Sequence, residues 1–228
     1  MATIASNIQQ VHRRIEAACA AAQRPVQSVT LLSVSKTFSA EAVRDAYAAG
    51  ERRFGENYAQ EGIDKIAALA DLRGQLEWHL IGPLQSNKTR AVAEQFDWVQ
   101  SVDRLKTAQR LSDQRPPELA PLQLCLQVNI SGEASKSGLA PEDVAVLAHA
   151  VAALPRVRLR GLMAVPEPTA DLAAQRARHA ALHRLWTSLR AQGLTLDTLS
   201  IGMSTDLEAA VLEGSTMVRI GSAIFGTR

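Results

Sequence analysis

Eight short aliphatic runs recur along the chain, each followed by a stretch with helical spacing of its apolar positions. The runs fall at 29–35 (VTLLSVS), 53–56, 77–81 (EWHLI), 97–101 (DWVQS), 122–130 (LQLCLQVNI), 159–165 (LRGLMAV), 196–201 and 216–220 (TMVRI). They read as buried strands, with helices predicted at 40–49, 58–72, 86–95, 103–114, 142–153, 170–192 and 206–213. Regular strand–helix alternation predicts a parallel sheet with helical crossovers. Eight such units in 228 residues predict an α/β fold, a single (β/α)8 TIM barrel over 1–228, since such barrels usually run to about 250 residues. A helix over 3–22 precedes the first strand and is extra to the barrel. A doubly wound open sheet is the competing arrangement. Against it, no GxGxxG follows the first strand, which runs directly into Lys36-Thr37-Phe38-Ser39.

Aromatic residues make up only 4% of the chain, so the core must be built from aliphatics and 38 alanines. An apolar fraction of 46% excludes a disordered chain. A net charge of +2 is too small for a nucleic-acid footprint. His179 and His183 have metal-ligand spacing, but without a third ligand this Arg-rich helix reads as a solvated face. The two cysteines, Cys19 and Cys125, lie in apolar stretches with no CxxC, which excludes a disulfide scaffold and a cysteine-rich zinc site. No run approaches the ~18 apolar residues of a membrane span. The N-terminal helix carries Glu16 inside its apolar stretch, unlike a secretory leader. A cytoplasmic protein with neither membrane nor nucleic-acid partners is expected.

In a barrel, functional groups sit at the C-terminal strand ends and in the loops that follow. Lys36 closes the first apolar strand and is one of only five lysines. A desolvated amine there suits a Schiff base with an aldehyde, although a lysine at a strand end can also simply reach solvent. Ser200-Ile201-Gly202-Met203-Ser204 precedes a short helix, and Gly221-Ser222 follows the last strand. Such hydroxyl- and glycine-rich turns suit a phosphate, which barrels often bind after strands seven and eight. Arg219 shares a strand face with Gly221 and points inward. A cation there could keep a pyridine nitrogen unprotonated, or pair structurally with Glu208 or Glu213. His79 alternates inward on its strand, as an interior histidine or as a cofactor contact. These features leave two ligands open: a phosphosugar, or pyridoxal 5′-phosphate (PLP).

The segments SVSKTF (33–38), FGENYAQE (54–61), WHLIGPLQSNK (78–88), QVNISGEASKSG (127–138), GLMAVPE (161–167) and LSIGMSTDLEAAVLEGSTMVRIGSAIFG (199–226) closely resemble the pyridoxal phosphate homeostasis family. That family is similar to the N-terminal barrel of alanine racemases. The resemblance implies PLP held as an aldimine on Lys36, with phosphate contacts at Ser200, Gly202, Ser204, Gly221 and Ser222. It implies Arg219 at the pyridine nitrogen, with Asn57, His79 and Met163 lining the cofactor. Lys136 is implied to contact or receive it. The implied role is intracellular vitamin B6 homeostasis, with no catalytic residue assigned and PLP-requiring apo-enzymes as recipients. A weak PLP-dependent racemase and a Schiff-base aldolase are the alternatives. The racemase's second β-domain, which supplies a tyrosine as second base, is expected to have no counterpart here. Tyr47 and Tyr58, the two tyrosines, read as helical. A monomer is expected.

Overall fold

The computed structural model describes residues 3–131 and 137–226. Its sheet is a closed barrel of eight parallel strands: β1 (Thr30–Val34), β2 (Arg53–Glu56), β3 (Glu77–Leu80), β4 (Trp98–Val102), β5 (Leu122–Gln127), β6 (Val157–Met163), β7 (Thr198–Ser200) and β8 (Met217–Ile220). Closure comes from β1, which pairs with β2 on one side and with β8 on the other, Leu32 opposite Arg219. The crossover helices α2 (Ala40–Ala48), α3 (Ala59–Ala68), α4 (Thr89–Gln95), α5 (Leu105–Gln114), α6 (Val144–Ala152), α7 (Leu172–Ala191) and α8 (Leu207–Leu212) follow the strands in turn. The expected barrel and extra N-terminal helix are both present. That helix, α1 (Ile4–Ala21), opens with a capping box between Thr3 and Ser6. No helix among the described residues is long and apolar enough to cross a membrane.

Two apolar compartments follow from strand alternation. Outward-facing residues such as Phe54, Leu80 and Val99 join the helices in the main core. Inward-facing Trp98, Cys125 and Met163 form a separate small cluster. Register places Leu32, Val34, Gly55, His79, Gln100, Ser200 and Arg219 on the inner face as well. The interior is therefore unusually polar for a barrel, whose inner layers are usually branched aliphatics.

Three expectations need correction. Strand β6 begins and ends two residues before the expected 159–165 span. Pro166 cannot extend a ladder, and Arg158 puts an exposed charge on the inward-alternating face at the open N-terminal end of the barrel, between the core residues Val157 and Leu159. His179 is not solvated: it is buried, and its Nε2 lies 3.0 Å from Asp206 Oδ2. A short helix not expected from the sequence, α9 (Ser222–Phe225), follows β8. Helix α1 packs on α8 and α9, and Asn7 Nδ2 donates to Ile224 O at 2.9 Å.

Gly161 shows how tightly the barrel closes. The β5–β6 register shifts between Leu124 and Cys125, so Cys125 faces Gly161. A Cβ on Gly161 would lie 1.6 Å from Thr198 O of β7. Gly161→Ala should cost more than about 4 kcal/mol in urea unfolding, the range of a severe core defect. Gly74→Ala, whose methyl would meet nothing within 4 Å, should cost less than about 0.5 kcal/mol. Equal small effects would show that the strands do not approach this closely.

Candidate functional site

A cavity of about 730 Å³ opens at the C-terminal ends of the strands. That size is ordinary for a small-molecule site. Lys36, Asn57, Ser204, Arg219, Gly221 and Ser222 line it together, although 36 and 221 lie at opposite ends of the chain. Val34, Ile81, Pro83 and Val165 supply apolar wall. Lys36 and Arg219 are the only ionisable side chains among the described lining residues, which include no carboxylate. Two cations, hydroxyls and an apolar wall fit an anionic ring compound carrying an aldehyde.

Lys36 extends the inward face of β1, and its backbone is clamped on both sides. Lys65 Nζ donates to Ser35 O at 2.7 Å, so it grips the peptide unit preceding Lys36. The same amine donates to Glu56 Oε1 and Glu61 Oε1, both at 2.8 Å. Glu61 Oε1 in turn accepts from the Thr37 N–H, in the peptide unit after Lys36. Ser35 Oγ donates to Glu56 Oε1 at 2.6 Å. Thr37 has φ +67°, left-handed for a β-branched residue. Such backbone persists only where its surroundings over-determine it. Burial pushes the Glu56 carboxyl above the usual carboxylate range, with Lys65 and Ser35 opposing the rise.

The serine end is built on two loops. Ser222 Oγ donates to Ser204 Oγ at 3.4 Å. The Ser204 loop is pinned from outside: Arg14 of α1 donates to Ser204 O at 2.9 Å and is paired with Glu208. It is pinned from beneath by Asp206, whose Oδ1 accepts from Met203 N at 2.7 Å while Oδ2 meets His179. Burial pushes the Asp206 pKa upward, but hydrogen bonds from His179 and Met203 outweigh it and hold the carboxyl below its ordinary range. Gly202 has φ +98°, and a Cβ there would lie 2.6 Å from Ala210 Cβ. Both facts require glycine at the turn. Gly202 O accepts from Arg219 N at 2.9 Å, tying the two loops together.

Four expected site residues do not line the cavity. His79 and Met163 are fully buried beneath it. Gly202 supports the loop from behind. Ser200, expected at a phosphate, is fully buried, its hydroxyl engaged by Gln100 and Arg219. Lys136 lies outside the described residues. Arg219 pairs with neither Glu208 nor Glu213, which bind Arg14 and Arg176. Burial lowers the Arg219 pKa to about 10, against the pull of Asp206, so it stays charged at neutral pH. Sequence reasoning missed Glu61, Lys65 and Gln100. The first two carried a signal, the i,i+4 acid–lysine spacing that brings such pairs together on a helix. No group of three or more metal-ligating side chains occurs among the described residues.

The family model for the alanine racemase N-terminal domain matches residues 2–228, and the chain belongs to that family. Among curated relatives, it is 64% identical to the pyridoxal phosphate homeostasis protein of Pseudomonas aeruginosa, covering 100% of this chain and 97% of that protein. It is 52% identical to the protein of the same name from Escherichia coli K12, covering 100% and 98%. Among solved structures, PipY of Synechococcus elongatus with PLP bound superposes with a TM-score of 0.85 at 39% identity, covering 98% of this chain and 100% of PipY. Alanine racemase from Corynebacterium glutamicum shares the fold, with a TM-score of 0.72 at 17% identity over 61% of its length.

The buried histidine gives a pH signature. Burial, the largest influence, holds the His79 pKa below its ordinary 6.5, while Glu77 and Asp97 pull upward and Arg53 downward. The unfolded chain therefore takes up a proton below about pH 6.5 that the folded barrel does not. Folding stability should fall with acidification by up to about 1.4 kcal/mol per pH unit from this group. His79→Gln should flatten that limb of the stability curve between about pH 6.5 and 5. An unchanged slope would mean that His79 is charged in the barrel.

Proposed function

We propose that this chain holds PLP in the barrel mouth and serves vitamin B6 homeostasis without efficient turnover. One observation carries the reading: an amine, an arginine and two serine hydroxyls converge on a single cavity, with no carboxylate among its described lining residues. Lys36 would supply an amine for the cofactor's aldehyde. Ser204 and Ser222 would donate to the phosphate. Arg219 would donate to the ring nitrogen, and its charge disfavours protonation there. Asn57 lines the same cavity, and His79 and Met163 lie buried beneath it. When bound, PLP supplies an electron sink for carbanion chemistry.

Racemisation needs proton-transfer groups on both faces of the substrate's α-carbon, each typically contributing about 10²–10⁴-fold. Lys36 is one candidate; Tyr47 instead donates to Gln75, and neither tyrosine lines the cavity. The open mouth suits transfer of PLP to apo-enzymes that require it. A cytoplasmic site of action is supported by two buried, unpaired cysteines. A monomeric state is supported by exposed large apolar side chains, such as Leu105, Val146 and Leu172, on separate helices.

The test is a visible-absorbance titration with PLP. Lys36→Ala should abolish the band while leaving the thermal melt unchanged. Ser204→Ala/Ser222→Ala should weaken PLP by roughly ten- to a hundredfold relative to pyridoxal, the value of lost hydrogen bonds to a charged group. A wild-type protein that gains no band would refute the reading. Turnover of an amino acid at about 1–10³ s⁻¹, the ordinary enzyme range, would make it an enzyme instead.

A further inference from the structure

A continuous chain of hydrogen bonds crosses the barrel interior from its floor to the mouth cavity. At the floor, Glu77 Oε1 lies 2.9 Å from His79 Nε2. His79 Nδ1 lies 2.8 Å from Gln100 Nε2, which also donates to Met217 Sδ at 3.2 Å. Ser200 Oγ donates to Gln100 Oε1 at 2.6 Å. Arg219 Nη1 donates to Ser200 Oγ at 2.8 Å and to Ser200 O at 2.6 Å. Arg219 Nη2 donates to Ala164 O at 2.8 Å. His79, Gln100 and Ser200 are each fully buried.

Each link fixes the direction of the next. The Glu77 carboxylate only accepts, so His79 carries its hydrogen on Nε2 and offers a lone pair at Nδ1. That lone pair and the Met217 thioether both require donors, so the Gln100 amide nitrogen faces them. Its oxygen must then face Ser200. The Ser200 hydroxyl hydrogen is drawn to that oxygen, which turns its lone pairs toward Arg219. Every polar atom of the Gln100 amide is matched. Such a network specifies one arrangement of its members.

The chain ends on a group with capacity to spare. A guanidinium has five N–H donors, and three of those of Arg219 are fixed by Ser200 and Ala164. The others, on Nε and Nη2, have no partner among the described residues, and Arg219 lines the cavity. The two carbonyls alone would allow the guanidinium to pivot about them. The Ser200 hydroxyl is a third contact, and Gln100 holds that hydroxyl in its accepting orientation.

We propose that Gln100, with His79 behind it, is a positioning residue for Arg219, and that Ser200 serves the ring-nitrogen end of the cofactor rather than its phosphate. The proposal rests on the PLP reading for the identity of the ligand, but not for the positioning itself. Its test uses Gln100→Leu, which cuts the chain, and Ser200→Ala, which removes one oxygen and is the milder change to the fold. The ligand-free protein is labelled with ¹⁵N-arginine, and hydrogen exchange at Arg219 Nη1, which donates to Ser200, is measured. Both variants should exchange roughly tenfold faster than wild type, while Ser200→Thr should restore slow exchange.

Affinities are measured in parallel for PLP, for pyridoxal, and for the PLP analogue with CH in place of the ring nitrogen. Both variants should lose PLP and pyridoxal affinity by the same factor, about tenfold, and lose the wild-type preference for PLP over the CH analogue. Folded variants with unchanged Arg219 exchange and an unchanged preference would overturn the proposal. So would a Ser200→Ala protein that loses affinity for PLP but not for pyridoxal. If wild type binds none of the three ligands while the variants exchange faster, the positioning stands and the PLP reading fails.

Discussion

Pairing of the first strand with the last brings the site together. The β1–β8 register sets Leu32 beside Arg219 and carries Lys36 up against the turn that holds Gly221 and Ser222. No local interaction could bring those residues together, because most of the chain separates them. The hydrogen bonds of that one pairing close the barrel and assemble the amine, the arginine and a serine at one mouth. The close approach at Gly161, where β7 leaves no room for a methyl group, belongs to the same closure.

Within that frame, the buried polar groups divide by strand face. On the outer face of β1 and β2, Glu56, Glu61 and Lys65 clamp the peptide units flanking Lys36 and hold Thr37 in its left-handed conformation. On the inner face, the chain from Glu77 to Ser200 ends on Arg219. Two independent networks thus converge on Lys36 and Arg219, the two cations among the described lining residues of the cavity. Each network takes polar groups out of water, which is tolerable only because nearly every donor and acceptor is matched. Glu56 Oε2 is an exception, a buried oxygen without a partner, consistent with the raised pKa of that carboxyl.

The fold was legible because strand–helix alternation is a local signal repeated eight times. The mouth residues Lys36, Ser204, Arg219, Gly221 and Ser222 were legible because barrel topology dictates which strand end faces the site. Ser200 shows where such reading stops. Its place in a hydroxyl-rich turn suggests a phosphate ligand, and its hydroxyl partner Gln100 is a hundred residues away in sequence. His179 departs from the expected solvated face for a related reason: an Arg-rich helix face conceals one position that is buried against Asp206. The start of β6 carries charges in alternation, Arg158 and Arg160, which face the open N-terminal end of the barrel, where a strand's inner face still meets water.

The central claim is that Lys36 is the cofactor-bearing residue, and chemical trapping tests it most directly. The PLP-loaded protein is reduced with borohydride, digested, and mapped by mass spectrometry. The phosphopyridoxyl mass is expected on the peptide containing Lys36. A label confined to Lys65, Lys88, Lys106 or Lys136, with Lys36 unmodified, would contradict it.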